Sequence, residues 1–411
     1  MKIQRQNTVT STGVGLKRAL VIGAGVGGLV AANAFAARGV EVVVVERRAA
    51  FDSASLGLGQ PANALRVYRR LGVLDEILEA GFRYDSMLLA DADRERCVTH
   101  EFLLGDSATP AFCALARSEL HAILHRRALG SGVQVRLGTT VESLEDDGRQ
   151  VTATFSNGRT DSFDLVAGFD GIRSNTRQLL FGTAFEPRAL GYGAWRVKAP
   201  RPDYVRSMEF LHAVGSKTGA IPLSRDSLYL FHIRAEDPGA WFRPERLRPD
   251  LRERLAGYGG YVGVVRDSLG VGDEIVYSPL ERLLVPPPWH CGRIVIGGDA
   301  AHVVPPHLTQ GAAMAAEDGF LLAELTTRDA PLEQSLAAYG RRRWRRAAFV
   351  YSFGLDWLAR EQATRSPADL DQAMAELAVN ATTRIGASDR VLNEWILDEE
   401  DDEGGDACPS S

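Results

Sequence analysis

Cysteine is scarce in this sequence of 411 residues, and its few cysteines are scattered. Cys97, Cys113, Cys291 and Cys408 form no Cys-x-x-Cys pair and no cluster with the spacing of metal ligands. This distribution excludes a small disulfide-stapled domain and a cysteine-based metal centre. It is typical of a protein kept in a reducing compartment, so we expect a cytoplasmic location.

A strong charge of either sign and long apolar runs are also missing. The formal net charge of −6 gives no reason to expect nucleic acid or an anionic membrane as a partner. No stretch approaches the length of a transmembrane helix. The polar residues 1–15 contain no apolar core of a signal peptide. We expect residues 1–15 and the acidic end, residues 398–411, to be disordered.

Histidines in a complete metal-binding arrangement are absent as well. His121 and His125 lie four residues apart on a predicted helix, a spacing that a metal pair could use. No third ligand has a matching spacing. We therefore expect the two side chains to flank a helix, and we expect no metal.

What the sequence does contain is a nucleotide-binding pattern between Lys17 and Arg47. A buried strand precedes a Gly-x-Gly-x-x-Gly turn at residues 23–28, a helix of small residues follows, and a second buried strand ends at Glu46. In such a βαβ unit the glycines permit a tight turn, close approach to a pyrophosphate and close packing of helix on strand. The helix N-terminus faces the phosphates, and the acid is placed to hold a ribose.

Two further buried strands also end in an acid. Residues 165–169 lead into Asp170 and a glycine, and residues 293–297 lead into Gly298 and Asp299. A loop rich in proline and glycine then precedes a helix of small residues over 312–325. Ligands of open α/β sheets bind at the carboxyl ends of the strands, so these segments are candidates for the same site.

The remaining segments predict a second sheet and a helical end. Residues 57–63 read as a loop because of their glycines and proline. Residues 185–280 contain aromatics, prolines and short alternating runs, which predict a mostly antiparallel sheet inserted into the nucleotide domain. Residues 332–360 and 368–397 predict long helices, and the arginines at 341–346 predict a solvated helix face.

These segments, in this order, resemble the single-component FAD-dependent aromatic hydroxylases of the para-hydroxybenzoate and salicylate hydroxylase type. The resemblance covers about Leu20 to Leu325 and implies an α/β fold. That fold has an FAD-binding Rossmann-like domain, an inserted, mostly antiparallel substrate sheet and C-terminal helices. Thr309 and Ala313 depart from residues that are common in the family's flavin loop. By position, the resemblance implies these FAD-binding residues: Gly23, Gly25, Val26, Gly28, Glu46, Arg47, Gly59, Arg117, Val141, Asp170, Asp299, Pro306, Thr309, Gln310, Gly311, Ala312 and Ala313.

The same resemblance suggests a discontinuous domain organisation. The FAD-binding domain is expected at residues 16–81, 114–184 and 281–330. The substrate domain is expected at 82–113 and 185–280, and the C-terminal helices at 331–397. These helices could cover the FAD domain or form a dimer face, so both a monomer and a homodimer stay open.

The chemistry that the resemblance implies is hydroxylation of an aromatic or heteroaromatic small molecule. Members of the family that the chain resembles reduce FAD with NADPH or NADH, let the reduced flavin react with O2 and transfer oxygen from a flavin C4a-hydroperoxide. No second Gly-x-Gly-x-x-Gly is present, so a separate nicotinamide domain is not expected. Arg47 and Arg173 are the arginines that could meet the pyridine nucleotide.

The substrate base and anchor are less well defined. His212, Arg196 and Tyr192 are the candidate catalytic residues, and Tyr229 and His232 are further candidates. Alternation along the strands decides which of these side chains face a substrate, and the register is open from sequence. His212 could activate a phenol near neutral pH, although a single histidine in a strand is more often structural.

Several other functions compete. A nicotinamide dehydrogenase would explain residues 23–46 but not the other two acid-ending strands. A reductase of the geranylgeranyl type shares those signatures but inserts no oxygen, and a flavin-binding sensor would lack substrate-stimulated oxidation of NAD(P)H. A flavin halogenase carries Trp-x-Trp-x-Ile-Pro, of which Trp195 and Pro200 keep only the outer residues.

Overall fold

The structure, a computed structural model, describes residues 15–51 and 56–397. Apart from Gly15, the two ends predicted to be disordered lie outside the described residues. The described strands are β1 (Arg18–Ile22), β2 (Glu41–Glu46), β3 (Gly57–Pro61), β4 (Phe82–Tyr84), β5 (Ser86–Asp91), β6 (Cys97–Glu101), β7 (Phe112–Ala116), β8 (Gln134–Leu137), β9 (Val141–Asp146), β10 (Val151–Phe155), β11 (Thr160–Phe163), β12 (Leu165–Gly168), β13 (Arg188–Pro200), β14 (Met208–Ala213), β15 (Ser216–Pro222), β16 (Ser227–Ala235), β17 (Ile275–Leu284), β18 (His290–Cys291), β19 (Ile294–Ile296) and β20 (His302–Val303).

The described α-helices are α1 (Val26–Ala36), α2 (Ala62–Arg70), α3 (Leu74–Ala80), α4 (Arg117–Gly130), α5 (Asn175–Phe181), α6 (Pro244–Arg254), α7 (Gly260–Ser268), α8 (Gly311–Thr326), α9 (Leu332–Ala363) and α10 (Pro367–Asn393). Short 3-10 turns lie at Gly298–Ala300 and Pro306–Leu308. Over the described residues, no helix combines the length and apolar character needed to cross a membrane.

A six-stranded sheet carries the nucleotide-binding pattern. Its order is β18-β19-β12-β1-β2-β8, and every pair except β18–β19 is parallel. Its four inner strands, β19, β12, β1 and β2, contain short runs of valine, isoleucine, leucine and alanine that are buried on both faces, as parallel sheets require. The predicted Rossmann-like βαβ unit and the α/β fold class are confirmed.

Helix α1 of the βαβ unit packs in close contact with α8. A Cβ on Gly27 would lie 2.9 Å from the carbonyl oxygen of Ala315, and one on Gly319 would lie 2.5 Å from that of Gly27. Only glycine permits the two backbones to approach this closely. The packing brings the N-terminal half of α8 alongside the Gly-x-Gly-x-x-Gly turn.

An eight-stranded sheet of order β20-β17-β13-β16-β15-β14-β5-β6 forms the second layer. It is antiparallel except where β14 pairs with β5, in agreement with the predicted inserted sheet. One face packs against α6 and α7 through Trp195, Leu230 and Val262. The domain boundaries remain a prediction. The small sheet β3-β7-β4 spans two of them: β3 belongs to the expected FAD-binding domain, β4 belongs to the expected substrate domain, and β7 crosses the boundary between residues 113 and 114.

Two predictions about local structure are wrong. The segment predicted as a loop at residues 57–63 contains β3, which pairs antiparallel with β7 over Gly57 to Pro61. Backbone hydrogen bonds to a neighbouring strand outweigh the weak strand propensity of glycine here. The segment then enters α2 at Ala62.

The arginines at 341–346 do not form a uniformly solvated face. Arg343 is 1% exposed and contacts Asp318 at 2.5 Å and Glu317 at 2.9 Å, and Arg346 contacts Glu317 at 3.1 Å. Glu317 and Asp318 lie on α8 and are completely buried. Burying these carboxylates is possible because α9 supplies guanidinium groups to pair with them.

Candidate active site

The carboxyl ends of four adjacent parallel strands meet at one edge of the six-stranded sheet. Glu46 ends β2, Asp170 follows β12 and Asp299 follows β19, with β1 and its glycine turn between β2 and β12. Parallel strands point the same way, so these three acids and the turn necessarily gather at one edge. The sequence patterns that predict nucleotide binding therefore form one site.

The glycine turn has the geometry that the sequence predicts. Gly23 has a φ of +102°, and a Cβ there would overlap the carbonyl of Phe169. A Cβ on Gly28 would overlap the carbonyl oxygen of Gly23, whereas one on Gly25 would meet nothing within 4 Å. Gly25 therefore leaves an open backbone surface at the N-terminus of α1, which has no acid in its first turn. Val26, the first residue of α1, is buried.

Glu46 closes the turn from the second strand. Its Oε2 accepts a hydrogen bond from the backbone N–H of Ala24 at 3.0 Å, and its Oε1 accepts one from that of Arg48 at 2.9 Å. Arg47 is exposed beside it. The carboxylate thus lies at the mouth of the turn, where a bound ribose would meet it.

Asp170 organises the start of α5. Its Oδ1 accepts a hydrogen bond from Ser174 Oγ at 2.5 Å, and its Oδ2 accepts from the N–H and hydroxyl of Thr176 at 2.9 and 3.0 Å. Arg177, which is 1% exposed, donates to the carbonyl of Ala300 at 3.1 Å. The Asp-Gly segment is in this way tied to the Gly-Asp segment.

Asp299 is exposed although its neighbours Gly298 and Ala300 are buried. Asp318 on α8 holds the turn that carries Asp299. Asp318 Oδ2 accepts a hydrogen bond from the N–H of Gly298 at 2.7 Å and lies 2.6 Å from His302 Nε2. Nearby His302 and Arg343 hold the pKa of Asp318 down at about 2, although burial alone would raise it. Asp318 is therefore a carboxylate at neutral pH.

The loop before α8 lies against β3 and α2. Thr309 is in the left-handed region with a φ of +56°, and a Cβ on Gly59 would lie 2.8 Å from its Cγ2. The side-chain amides of Gln310 and Asn63 bond to each other at 3.0 and 3.3 Å. Gly311 begins α8, and Ala313 is fully buried behind it. This loop presents backbone groups to the space in front of the second sheet.

That space is a cavity of about 510 Å³ between the two layers. Most of its side chains from the eight-stranded sheet are apolar or aromatic. From the nucleotide side it is lined by Gly57, Gly59, Arg117, Pro306, Thr309, Gln310, Gly311 and Ala312. From the sheet it is lined by Ala194, Arg196, Phe210, Lys217, Ile221, Tyr229, Phe231, Ile233, Val276 and Ser278.

Strand alternation sorts the candidate substrate residues. Arg196 and Tyr229 line the cavity, and Arg196 donates a hydrogen bond to Ser278 Oγ. Burial raises the pKa of Tyr229, so its hydroxyl stays protonated at neutral pH. His232 lies on the opposite face, where its Nδ1 is 2.8 Å from Thr218 Oγ1.

Tyr192 and His212 lie outside the large cavity. They line a small neighbouring cavity between β14, β15 and the junction of α9 with α10. Burial and the nearby Lys217 lower the pKa of His212 to about 4, so its ring is neutral at pH 7. Val141 is buried at the start of β9, where its carbonyl accepts a hydrogen bond from Asn175 Nδ2 at 3.0 Å.

A cluster at the cavity wall was not predicted. Lys217 Nζ lies 2.5 Å from Glu361 Oε1, and His307 Nε2 lies 3.3 Å from Glu361 Oε2. Lys217 and His307 line the cavity, and Glu361 comes from the end of α9. The sequence signal for it was Lys217, the one charged residue of β15. Its partner is 144 residues away.

His121 and His125, the other histidines considered above, pack around Phe51 at ring distances of 4.3 and 4.7 Å. His121 Nε2 is 2.7 Å from the carbonyl of Ala24. The pair therefore supports the segment beside the glycine turn.

Residues 17–353 match the family described as the FAD binding domain. The chain belongs to the FAD-dependent aromatic hydroxylases. It is 33% identical over 349 residues to YetM of Bacillus subtilis, a match that covers 84% of this chain and 94% of YetM. It is 31% identical over 323 residues to the 6-hydroxynicotinate 3-monooxygenase of Pseudomonas fluorescens, covering 74% and 81%.

A solved structure shows the same fold. HpxO of Klebsiella pneumoniae, complexed with FAD and uric acid, superposes on this hydroxylase with a TM-score of 0.78 and 23% identity. The match covers 93% of this chain and 97% of HpxO.

The residues of the hydroxylase fit FAD. The open backbone at Gly25, the acid at the end of β2 and the exposed Asp299 lie along one edge of the sheet. The N-terminus of α8 has no acid in its first turn and borders the large cavity. The sheet edge suits the charged and hydroxylated parts of the cofactor, and the cavity suits a flat ring.

Proposed function

We propose that this FAD-dependent monooxygenase uses NAD(P)H and O2 to hydroxylate a heteroaromatic small molecule that carries a ring oxygen substituent. The observation that carries the proposal is the shared cavity. One wall is the glycine-rich backbone around Gly59 and Gly311, and the other is an apolar sheet face. A site of this form brings a flat cofactor and a flat substrate into contact.

The relatives support the class of substrate. Their names record a urate hydroxylase from Mycolicibacterium vanbaalenii, 30% identical over 346 residues, and the 6-hydroxynicotinate enzyme described above. Both names refer to oxygenated rings that contain nitrogen. A cavity of about 510 Å³ with Phe210, Tyr229 and Phe231 in its lining suits molecules of one or two rings.

The roles of the FAD-binding residues follow from their positions. The turn at residues 23–28, with Glu46 and Arg47, would hold the adenosine and pyrophosphate end. Asp299 and the loop from Pro306 to Ala313 would hold the other end. When bound, FAD supplies the redox chemistry that activates O2 and transfers one oxygen atom.

The chain's own residues would exclude water and orient the ring. The apolar side chains of the sheet would displace solvent from the reacting faces. Arg196, fixed by Ser278, is placed to hold an acidic oxygen of the substrate. Tyr192 and His212, our other two candidates, line the small neighbouring cavity and would act without touching the ring.

The nicotinamide partner is proposed from the family. Arg47 is exposed at the nucleotide edge, and Arg173 is 60% exposed and pairs with Glu281 at 2.8 Å. Both could meet the phosphates of NADPH or NADH.

A reducing location is supported by Cys97, Cys113 and Cys291, which form no disulfide in the described part of the chain. We keep both a monomer and a homodimer as proposals.

The relatives do not favour the alternatives of a reductase or a halogenase, because they carry the names of hydroxylases and monooxygenases.

The test of the proposed function begins with the absorbance spectrum of the purified protein. NAD(P)H consumption under air is then measured with uric acid, 6-hydroxynicotinate and 4-hydroxyquinoline. We expect flavin peaks and oxidation stimulated by one ring class. A protein that cannot be loaded with FAD contradicts the proposal, and flavin without stimulation by any ring points to a reductase or a sensor.

A further inference from the structure

We propose that Asp318, a completely buried residue of α8, is a positioning residue for the flavin half of FAD, which is the ring with its ribityl chain. It would act by holding the turn Gly298–Ala300, which carries Asp299. The inference rests on the proposed function, because that function assigns Asp299 to this half of the cofactor. It adds that a side chain sealed off from the cofactor controls the affinity for the flavin half.

The turn that carries Asp299 depends on bonds from outside itself. It is a single turn of 3-10 helix, and Gly298 at its start is in the left-handed region with a φ of +58°. The N–H of Ala301 closes the turn by bonding to the carbonyl of Gly298 at 2.9 Å. Hydrogen bonds in 3-10 helices have poorer geometry than those in α-helices. An external partner is therefore needed to fix the direction in which the exposed Asp299 points.

Asp318 supplies this partner from α8. Its Oδ2 accepts a hydrogen bond from the N–H of Gly298 at 2.7 Å and also lies 2.6 Å from Nε2 of His302. Its Oδ1 accepts a hydrogen bond from Nε of Arg343 on α9 at 2.5 Å. A carboxylate only accepts, so Nε2 of His302 must carry a hydrogen. One carboxylate thus binds the first residue of the turn and a residue that follows it.

Burial strengthens these bonds. The side chains of Asp318 and His302 are completely buried, and that of Arg343 is 1% exposed. Although burial raises the pKa of Asp318, His302 and Arg343 lower it to about 2, so the group accepts as a carboxylate. Hydrogen bonds to an ionised group are stronger than neutral ones, and water cannot replace them at a buried site. The turn is therefore held firmly from the side opposite to the cofactor.

The same carboxylate ties the turn to the sheet that lines the large cavity. His302 belongs to β20, and it pairs with Leu284 of β17 in the eight-stranded sheet. Asp318 thus joins the cofactor edge of one sheet to the end strand of the other. Its bonds set the position of Asp299 relative to the wall against which a substrate ring would lie.

The other half of the cofactor site is built separately. The glycine turn at residues 23–28 follows β1, and β12 separates β1 from β19, which leads into the turn of Asp299. Glu46 holds the glycine turn through the N–H of Ala24 at 3.0 Å. Loss of the carboxylate of Asp318 should therefore weaken binding of the whole cofactor. It should spare a ligand that has only the adenosine and the phosphates, and ADP is such a ligand.

The test measures the dissociation constants of FAD and of ADP by isothermal titration calorimetry, with the full chain after its FAD has been removed. The variant is Asp318→Asn and the matched control is Glu317→Gln. Glu317 precedes Asp318 on α8, is equally buried, and pairs with Arg343 at 2.9 Å and Arg346 at 3.1 Å, both on α9. Each variant removes one buried carboxylate, but only Asp318→Asn removes it from the turn.

A second variant covers the case in which Asp318→Asn does not fold. The single variant leaves Arg343 and Arg346 buried with Glu317 as their shared carboxylate. Combining Asp318→Asn with Arg343→Met removes one charge of each sign and keeps the pair of Glu317 and Arg346. Replacing a buried ion pair by neutral groups of similar size costs far less than removing one partner. The double variant also lacks the bond to Gly298, so it should show the same binding defect.

We expect Asp318→Asn to raise the Kd of FAD by about tenfold to about 100-fold, because a buried, charged hydrogen bond to the turn is lost. The Kd of ADP should stay within about twofold of the parent value, and Glu317→Gln should bind both ligands like the parent. Parent-like FAD binding by Asp318→Asn overturns this inference alone. An equal loss of FAD and ADP, or an equal FAD defect in Glu317→Gln, overturns it as well, because either result shows a general structural defect. A parent protein that cannot bind FAD contradicts the proposed function, and this inference with it.

Discussion

The two sheets of this protein encode their sites in different ways. At the edge of the six-stranded sheet, the site consists of backbone turns that specific glycines and acids make possible, as at Gly23, Gly28 and Glu46. On the eight-stranded sheet, the site consists of side chains chosen by alternation, such as Arg196 and Tyr229. The first kind is local in sequence and the second is not. The difference explains why nucleotide binding could be predicted from local sequence patterns and the substrate residues could not.

The largest expected effect concerns the buried ions that join α8 to α9. Replacing Arg343 by methionine leaves Glu317 and Asp318 buried without this partner. We expect a loss of about 3–5 kcal/mol in the free energy of unfolding, measured by urea denaturation. Arg341→Met, on the same helix but exposed, should change it by less than about 0.5 kcal/mol. Equal effects from the two variants would show that the network contributes little.

The glycine turn provides the next test of the backbone-encoded site. Gly28→Ala places a Cβ on the carbonyl oxygen of Gly23. We expect a destabilisation of about 3 kcal/mol and a loss of bound flavin, measured by thermal denaturation and absorbance. Gly130→Ala is the control, since a Cβ there meets nothing within 4 Å. Flavin retained at the parent level in Gly28→Ala would argue against the tight turn.

The pH dependence of stability tests the role of Asp318. Its folded pKa of about 2 is below its unfolded value, so its contribution is present above about pH 4 and is lost as the pH falls toward 2. We expect this contribution to be about 2 kcal/mol. In acid titrations of unfolding, the difference between the parent and Asp318→Asn should shrink over this window. A difference in the free energy of unfolding between the two proteins that stays constant from about pH 6 to about pH 2 would contradict an ionised Asp318.

The smallest expected effect lies on the side-chain-encoded site. Arg196→Met should raise the KM for the ring substrate about tenfold, with little change in flavin content, because one charged hydrogen bond is lost. Steady-state kinetics under air measure this. Lys198→Met on the same strand is exposed and does not line the cavity, so its KM should match the parent. An unchanged KM in Arg196→Met would remove the arginine from the substrate site.

The comparison also shows how far sequence reasoning reaches. The three acid-ending strands and the βαβ unit could be predicted because each depends on residues close together in the chain, and the inserted sheet could be predicted from the alternation within its single strands, although its pairing of β14 with β5 could not. The strand at Gly57–Pro61 was missed because it exists only through its pairing with β7. The buried Arg343 and the cluster of Lys217, His307 and Glu361 were missed for the same reason: each needs a partner many residues away.

The most direct test of oxygen transfer at the shared cavity is isotopic. The FAD-loaded enzyme is incubated with NAD(P)H, ¹⁸O2 and the ring that stimulates oxidation, and the product is examined by mass spectrometry. We expect a ring product that carries one labelled oxygen atom. Consumption of NAD(P)H with hydrogen peroxide as the sole oxygen product, and no label in any ring tested, would contradict hydroxylation at this site.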